Sequence, residues 1–158
     1  MIVIKNTQRK FTIDKVRLET TAQNILNELG YSDFDLGIWL TTGATIRTYN
    51  KTYRDKDKPT DILSFPYHAN LKPGERIKPK TEEDKNIGDI ILAIDFIHNL
   101  IPLYETDSKK IRLSERLDTI LVHGICHLLG YSHYDPENDE KMTALEKKIA
   151  KKLNIDFE

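Results

Sequence analysis

The chain has 158 residues, of which 39% are hydrophobic and 31% charged, with a formal net charge of -1. This fits one globular domain over residues 1–158, and the near-neutral balance announces no nucleic-acid partner by global charge. No apolar run approaches the roughly 20 residues needed to cross a membrane, and a single cysteine, Cys126, excludes an internal disulfide and fits a reducing cytosol. Met1-Ile-Val-Ile-Lys-Asn6 reads as a first strand over residues 2–5 and not as a signal peptide. Asp14 caps a helix whose apolar face is Leu18, Ala22, Ile25, Leu26 and Leu29, and Gly30 suits its end. A strand follows from Phe34 to Leu40, then a polar helix from about Ala44 to Arg54. Asp61-Ile-Leu-Ser-Phe-Pro66 reads as a short strand stopped by proline. Residues 67–87, rich in Lys, Glu and Pro, read as a long exposed loop, and loops of such length in compact domains are often functional.

Gly88-Asp-Ile-Ile-Leu-Ala-Ile94 is the clearest strand, because its β-branched isoleucines favour a pleated surface. Residues 95–106 start as a helix that Pro102 interrupts. The next helix spans about Ser108 to Leu129, with an apolar stripe of Leu113, Leu117, Ile120, Leu121 and Leu128. Gly124 falls inside that stripe. A glycine within a helix costs about 1 kcal/mol against alanine, so close packing against the sheet is its expected reason. Asp135-Pro136 opens a last helix, buried through Met142, Leu145, Ile149 and Leu153. Basic runs at 47–58 and 72–80 suit phosphate contacts or a solvated surface.

The chemistry concentrates in His123-Gly-Ile-Cys-His127-Leu-Leu-Gly130-Tyr-Ser-His133. Three of the five histidines stand within this stretch. His123 and His127 are one helical turn apart, and Gly130 lets the chain reverse so that His133 can approach them. Three imidazoles suit one zinc ion and leave its fourth position open, where water is activated near neutral pH. The spacing H-x-x-x-H-x-x-G-x-x-H is the ligand frame of metzincin peptidases, except that Gly124 stands where their glutamate base belongs. Cys126 points away around the helix and reads as a packing residue. His68 and His98 read as solvated or hydrogen-bonded. Without a peptidase base the pattern suits a phosphodiester, whose transition-state charge a guanidinium can hold with two parallel hydrogen bonds. Arg54, at the end of the polar helix, is the candidate, and spacing alone leaves it equally readable as a surface cation.

Three segments together resemble the YbeY family of bacterial endoribonucleases. They are Asn50-Lys-Thr-Tyr-Arg54 with Pro59-Thr-Asp-Ile-Leu-Ser-Phe-Pro66, then Gly88-Asp-Ile90, then the histidine segment. One position departs from the family pattern: Ser132 stands where the family usually has Asp before its last histidine. The resemblance implies an α+β fold: a mixed, mostly parallel sheet of about four strands, packed by about five helices, with a zincin-like metal helix. It implies one Zn(2+) held by His123, His127 and His133, with Arg54 as the functional arginine. It further implies a cytoplasmic, single-strand-specific endoribonuclease. Its expected partners are single-stranded RNA, small-subunit rRNA and the ribosome, with no membrane and no DNA. Its role is maturation of the rRNA 3′ end and ribosome quality control. Two other readings stay open. One is a metallopeptidase-like zinc hydrolase, with Asp61, Asp89 or Asp95 supplying a base. The other is a non-catalytic assembly factor whose zinc is structural.

Overall fold

The computed structural model describes residues 1–157. Among these residues the strands are β1 (Ile2–Asn6), β2 (Asp35–Thr41), β3 (Ile62–Pro66) and β4 (Asn86–Ala93). The α-helices are α1 (Lys15–Leu29), α2 (Gly43–Arg54), α3 (Ile94–Leu100), α4 (Leu113–Leu128) and α5 (Pro136–Leu153). The sheet order is β1-β2-β4-β3. β1, β2 and β4 run parallel, and β3 lies antiparallel on β4. The fold is therefore α+β with a mixed, mostly parallel sheet, as the family resemblance implied.

Alternation divides the sheet into two faces. Ile2, Leu36, Ile38, Leu40, Ile90 and Leu92 point to one face and form a single buried cluster with residues of α1, α4 and α5. α1 is framed as expected: the Asp14 carboxylate accepts the Arg17 amide at 3.0 Å, and Gly30 closes the helix in the left-handed region. Arg17 then reaches α4, donating to both carboxylate oxygens of Asp118 at 3.1 and 2.6 Å. On the other face, α2 packs Ile46 against Leu63, Ile91 and Ala93 in a smaller cluster.

Most boundaries shift by a residue or so, and the larger differences from the sequence reading fall around β4 and α4. α4 begins at Leu113 and not near Ser108. Thr106 and Lys109 exchange backbone hydrogen bonds at 3.0 and 3.2 Å, and the Glu105 carboxylate accepts the Ile111 amide, so this stretch is held in a turn. β4 gains Asn86 and Ile87 and loses Ile94, which already starts α3. The 67–87 loop is also tied down more than its composition suggests. Ile77 is buried and donates its amide to the Tyr31 hydroxyl. Arg76 covers the Tyr31 ring and donates to the carbonyls of Leu29 and Gly30, capping α1.

Gly124 sits where α4 crosses β3 and β4. A β-carbon there would lie 2.6 Å from the Ile62 Cδ1 and 3.1 Å from the Ile90 Cδ1. The Ser64 hydroxyl donates to the Gly124 carbonyl at 3.4 Å, marking the same close approach. Gly124→Glu should therefore lose stability by overpacking, by about 1–3 kcal/mol, and should create no peptidase, because position 124 faces the sheet. A thermal melt reads the loss directly. An unchanged melting temperature in a soluble variant would refute the packing account.

Candidate active site

His123 and His127 project from the last turns of α4. The helix stops at Leu128, and the amides of Gly130 and Tyr131 donate back to the carbonyls of His127 and Cys126 at 3.0 and 3.2 Å. This is the Schellman pattern, which needs a left-handed residue, and Gly130 has φ 92°. It also needs glycine for room: a β-carbon at 130 would lie 2.1 Å from the Leu71 carbonyl oxygen of the 67–87 loop. The turn brings His133 back beside the helix. Its ring lies nearly parallel to that of His123 (13°), with centroids 5.2 Å apart.

The hydrogen bonds fix which ring nitrogens face each other. His123 Nδ1 meets Glu146 Oε2 at 3.0 Å, and His127 Nδ1 meets the Tyr131 carbonyl at 2.9 Å. His133 Nδ1 meets the Asp139 carboxylate. All three partners are carboxylate or carbonyl oxygens, so each Nδ1 is placed to donate, and in a neutral ring the matching Nε2 carries a lone pair. The Nε2 atoms of His123 and His127 then stand 2.9 Å apart. Burial, and after it the neighbouring His123, push the His127 imidazole below its ordinary pKa and favour its neutral form.

Glu146 was absent from the sequence reading. It is 3% exposed, on α5, with Oε1 3.8 Å from His133 Nε2. Donor atoms of His123, His133 and Glu146 all lie within 4.8 Å of one another, a spacing that one metal ion can bridge. Its signal was present: Met142, Glu146 and Ile149 share the buried face of α5, so a carboxylate interrupts an apolar stripe. The remaining candidates separate cleanly. Cys126 is fully buried in the core cluster, and burial pushes its thiol far up. His68 meets the Asp84 carbonyl, and His98 packs on Phe11.

Arg54 is the last residue of α2, with Asp55 behind it in the left-handed region. Buried Asn50 holds the following loop by donating to the Lys58 carbonyl, and its Oδ1 accepts a long 3.5 Å contact from Arg54 Nη1. Arg54 lines a cleft of about 640 Å³ together with His123, His127 and Asp61. A second cleft of about 650 Å³ continues past Asp61 to His133, Glu146, Arg116 and Lys147. Of the three aspartates, only Asp61 lines these clefts. Asp95 accepts the Gly43 amide at 2.7 Å and so serves the start of α2, while Asp89 opens onto the other side of the sheet.

The family model described as Endoribonuclease YbeY matches residues 3–154. The chain belongs to the YbeY family. It is 35% identical to the human Endoribonuclease YbeY over 152 residues, covering 96% of this chain and 87% of the human protein. It is also 35% identical to the Aquifex aeolicus Endoribonuclease YbeY over 156 residues, covering 97% of this chain and 91% of that protein. The solution structure of TM1509 from Thermotoga maritima shares the fold, with a TM-score of 0.53 at 21% identity, covering 98% of this chain and 92% of that one. Ser132, the position where the resemblance leads one to expect Asp, stands just before His133. Its hydroxyl accepts the Tyr134 amide at 3.4 Å, and the carboxylate beside His133 comes from Asp139 on α5.

Proposed function

We propose that this chain is a metal-dependent endoribonuclease that cuts single-stranded RNA, with one zinc ion held by His123, His127 and His133. The observation that carries the reading is the Nε2 pair of His123 and His127, 2.9 Å apart with both Nδ1 atoms committed to oxygen acceptors. Two facing lone pairs repel unless a proton or a cation lies between them. Neutral imidazoles oriented by carboxylates and carbonyls are the donor set that zinc favours. A zinc ion there supplies Lewis-acid activation of water near neutral pH. The chain's own residues do the rest. Glu146 and Asp139 orient two of the rings, and Tyr131 orients the third. Arg54, on the wall of the same cleft, holds a phosphate oxygen as charge gathers on it.

Membership of the YbeY family and the names of its relatives support RNA as the substrate. From the motif resemblance alone we further propose a role in small-subunit rRNA 3′-end maturation and ribosome quality control in the cytoplasm. A peptidase reading lacks its usual base, since Gly124 faces Ile62 and Ile90 and not the cleft. The test combines metal analysis of the purified protein with cleavage of matched unstructured and duplex RNAs. About one zinc ion per chain and cleavage confined to the unstructured RNA are expected. A folded, metal-free protein that leaves both RNAs intact would overturn the reading.

A prediction about Glu146 follows. Partners that orient metal-ligating histidines are typically worth about 10–100-fold in metal affinity. Glu146→Ala should weaken zinc binding by about that factor, measured by competition with a chelating dye, and Glu146→Gln should recover part of the loss because its amide oxygen still accepts from His123. Unaltered affinity in both variants would remove Glu146 from the site.

A further inference from the structure

Sheets built largely from parallel strands are normally covered on both faces, yet this one is covered fully on only one. Strand pairing puts Val3, Lys5, Gly37, Trp39, Asp89 and Phe65 on the face turned away from α1 and α4. α2 closes one end of that face through Ile46. The remainder is an open groove of about 770 Å³ in which Val3 is 57% exposed. Aromatic rings run along it in a chain. Trp39 meets Tyr49 edge-on at 5.3 Å between centroids, Tyr49 lies parallel to Tyr53 at 6.3 Å, and Tyr53 meets Phe65 edge-on at 5.1 Å. Packing explains Trp39, Tyr49 and Phe65, which lean on the smaller core cluster. It does not explain Tyr53, which is 64% exposed. Tyr53 and Phe65 also line the cleft that holds Arg54, His123 and His127, so groove and cleft share a wall.

We propose that this open sheet face is a binding surface for single-stranded RNA, whose bases stack on Trp39, Tyr53 and Phe65 as the strand runs into the histidine cleft. The proposal rests on the endoribonuclease reading above. Stacking suits a substrate chosen for being single-stranded, because any unpaired base offers a π face and a duplex offers none along its length. The charges fit a strand with its bases toward the sheet and its phosphates outward. Lys5 lies over the Trp39 ring at 5.4 Å, and Arg54 lines the adjoining cleft together with Tyr53. Of the two carboxylates lining the groove, Asp35 is paired with the N-terminal amine at 2.8 Å. Asp89 lies on the floor over Gly37, where a carboxylate repels phosphate and accepts base amino hydrogens.

Trp39 is the only tryptophan, so its fluorescence reports on the groove alone. The experiment titrates the metal-loaded protein with a labelled, nuclease-resistant 2′-O-methyl oligonucleotide of unstructured sequence, following anisotropy and Trp39 emission together. The two signals should move with the same midpoint, and a duplex of the same length should move neither. Tyr53→Leu should weaken binding by roughly tenfold to a hundredfold, the usual loss for one stacking platform, while Tyr53→Phe should bind like wild type. Because Tyr53 is mostly exposed, melting temperature should hold in both variants. Binding by anisotropy with unchanged Trp39 emission and an unaffected Tyr53→Leu variant overturns the groove and leaves the nuclease reading standing. Emission that changes with protein concentration and not with RNA makes the groove a contact between two copies of the chain and also overturns it. A wild-type protein that neither binds nor cuts any RNA ends both readings.

Discussion

Replacing His127 with alanine should strip the metal from the protein and bring RNA cleavage down to background. His127 contributes one of the two Nε2 atoms that face each other at 2.9 Å, and its other nitrogen is fixed by the Tyr131 carbonyl. The alanine variant leaves His123 as the one imidazole on α4 and removes the nitrogen that faces it at 2.9 Å. Metal that binds only the folded state stabilises it by RT ln(1 + [L]/Kd), about 4 kcal/mol when free metal is about 1,000 times Kd. For a domain of this length each kcal/mol moves the melting temperature by roughly 2–4 °C. A chelator should therefore lower the melting temperature of the wild type by several degrees and leave the His127→Ala variant where it was. The same melts decide between two donor sets. Retained metal in His127→Ala would move the ion to His123, His133 and Glu146, whose donor atoms also lie within bridging distance.

Arg54→Ala should lose on the order of 10²–10³ in turnover, by analogy with deleting one oxyanion donor, with zinc content and melting temperature unchanged. Arg54 lines the cleft with His123 and His127, and among the described residues its side-chain hydrogen bond to Asn50 is long. The guanidinium is thus free to take up a phosphate without giving up a structural role. Arg54→Lys should restore only part of the rate, since an ammonium cannot form two parallel hydrogen bonds to one phosphate. Single-turnover cleavage of an unstructured RNA, with zinc measured on the same samples, is the decisive assay. Full activity in the alanine variant would return Arg54 to an ordinary surface charge.

What could be read from the sequence followed its local rules. Asp14 and Gly30 bracket α1 because caps depend on neighbours a few residues away, and the spacing of His123, His127, Gly130 and His133 encodes a helical turn and a reversal in one short segment. Gly124 was legible as a packing residue because the helix period put it among leucines. Glu146 and Asp139 were not read, since they lie on α5 and join the histidines only through tertiary packing. α4 starts later than the sequence pattern suggests, because a hydrogen-bonded turn at Thr106 and Lys109 competes with helix propensity there. The open sheet face was invisible too. Trp39, Tyr53 and Phe65 sit on three different elements, and only strand register and the position of α2 bring them into line.

The division of the site between α4 and α5 also bears on when the protein becomes competent. The histidines precede Glu146 in the order of synthesis, and the carboxylates that orient His123 and His133 both belong to the later helix. A chain whose translation halts between His133 and Asp139 would carry all three imidazoles without the groups that aim two of them. On the proposed reading, the histidine site would be complete only once α5 has been made and packed against α4.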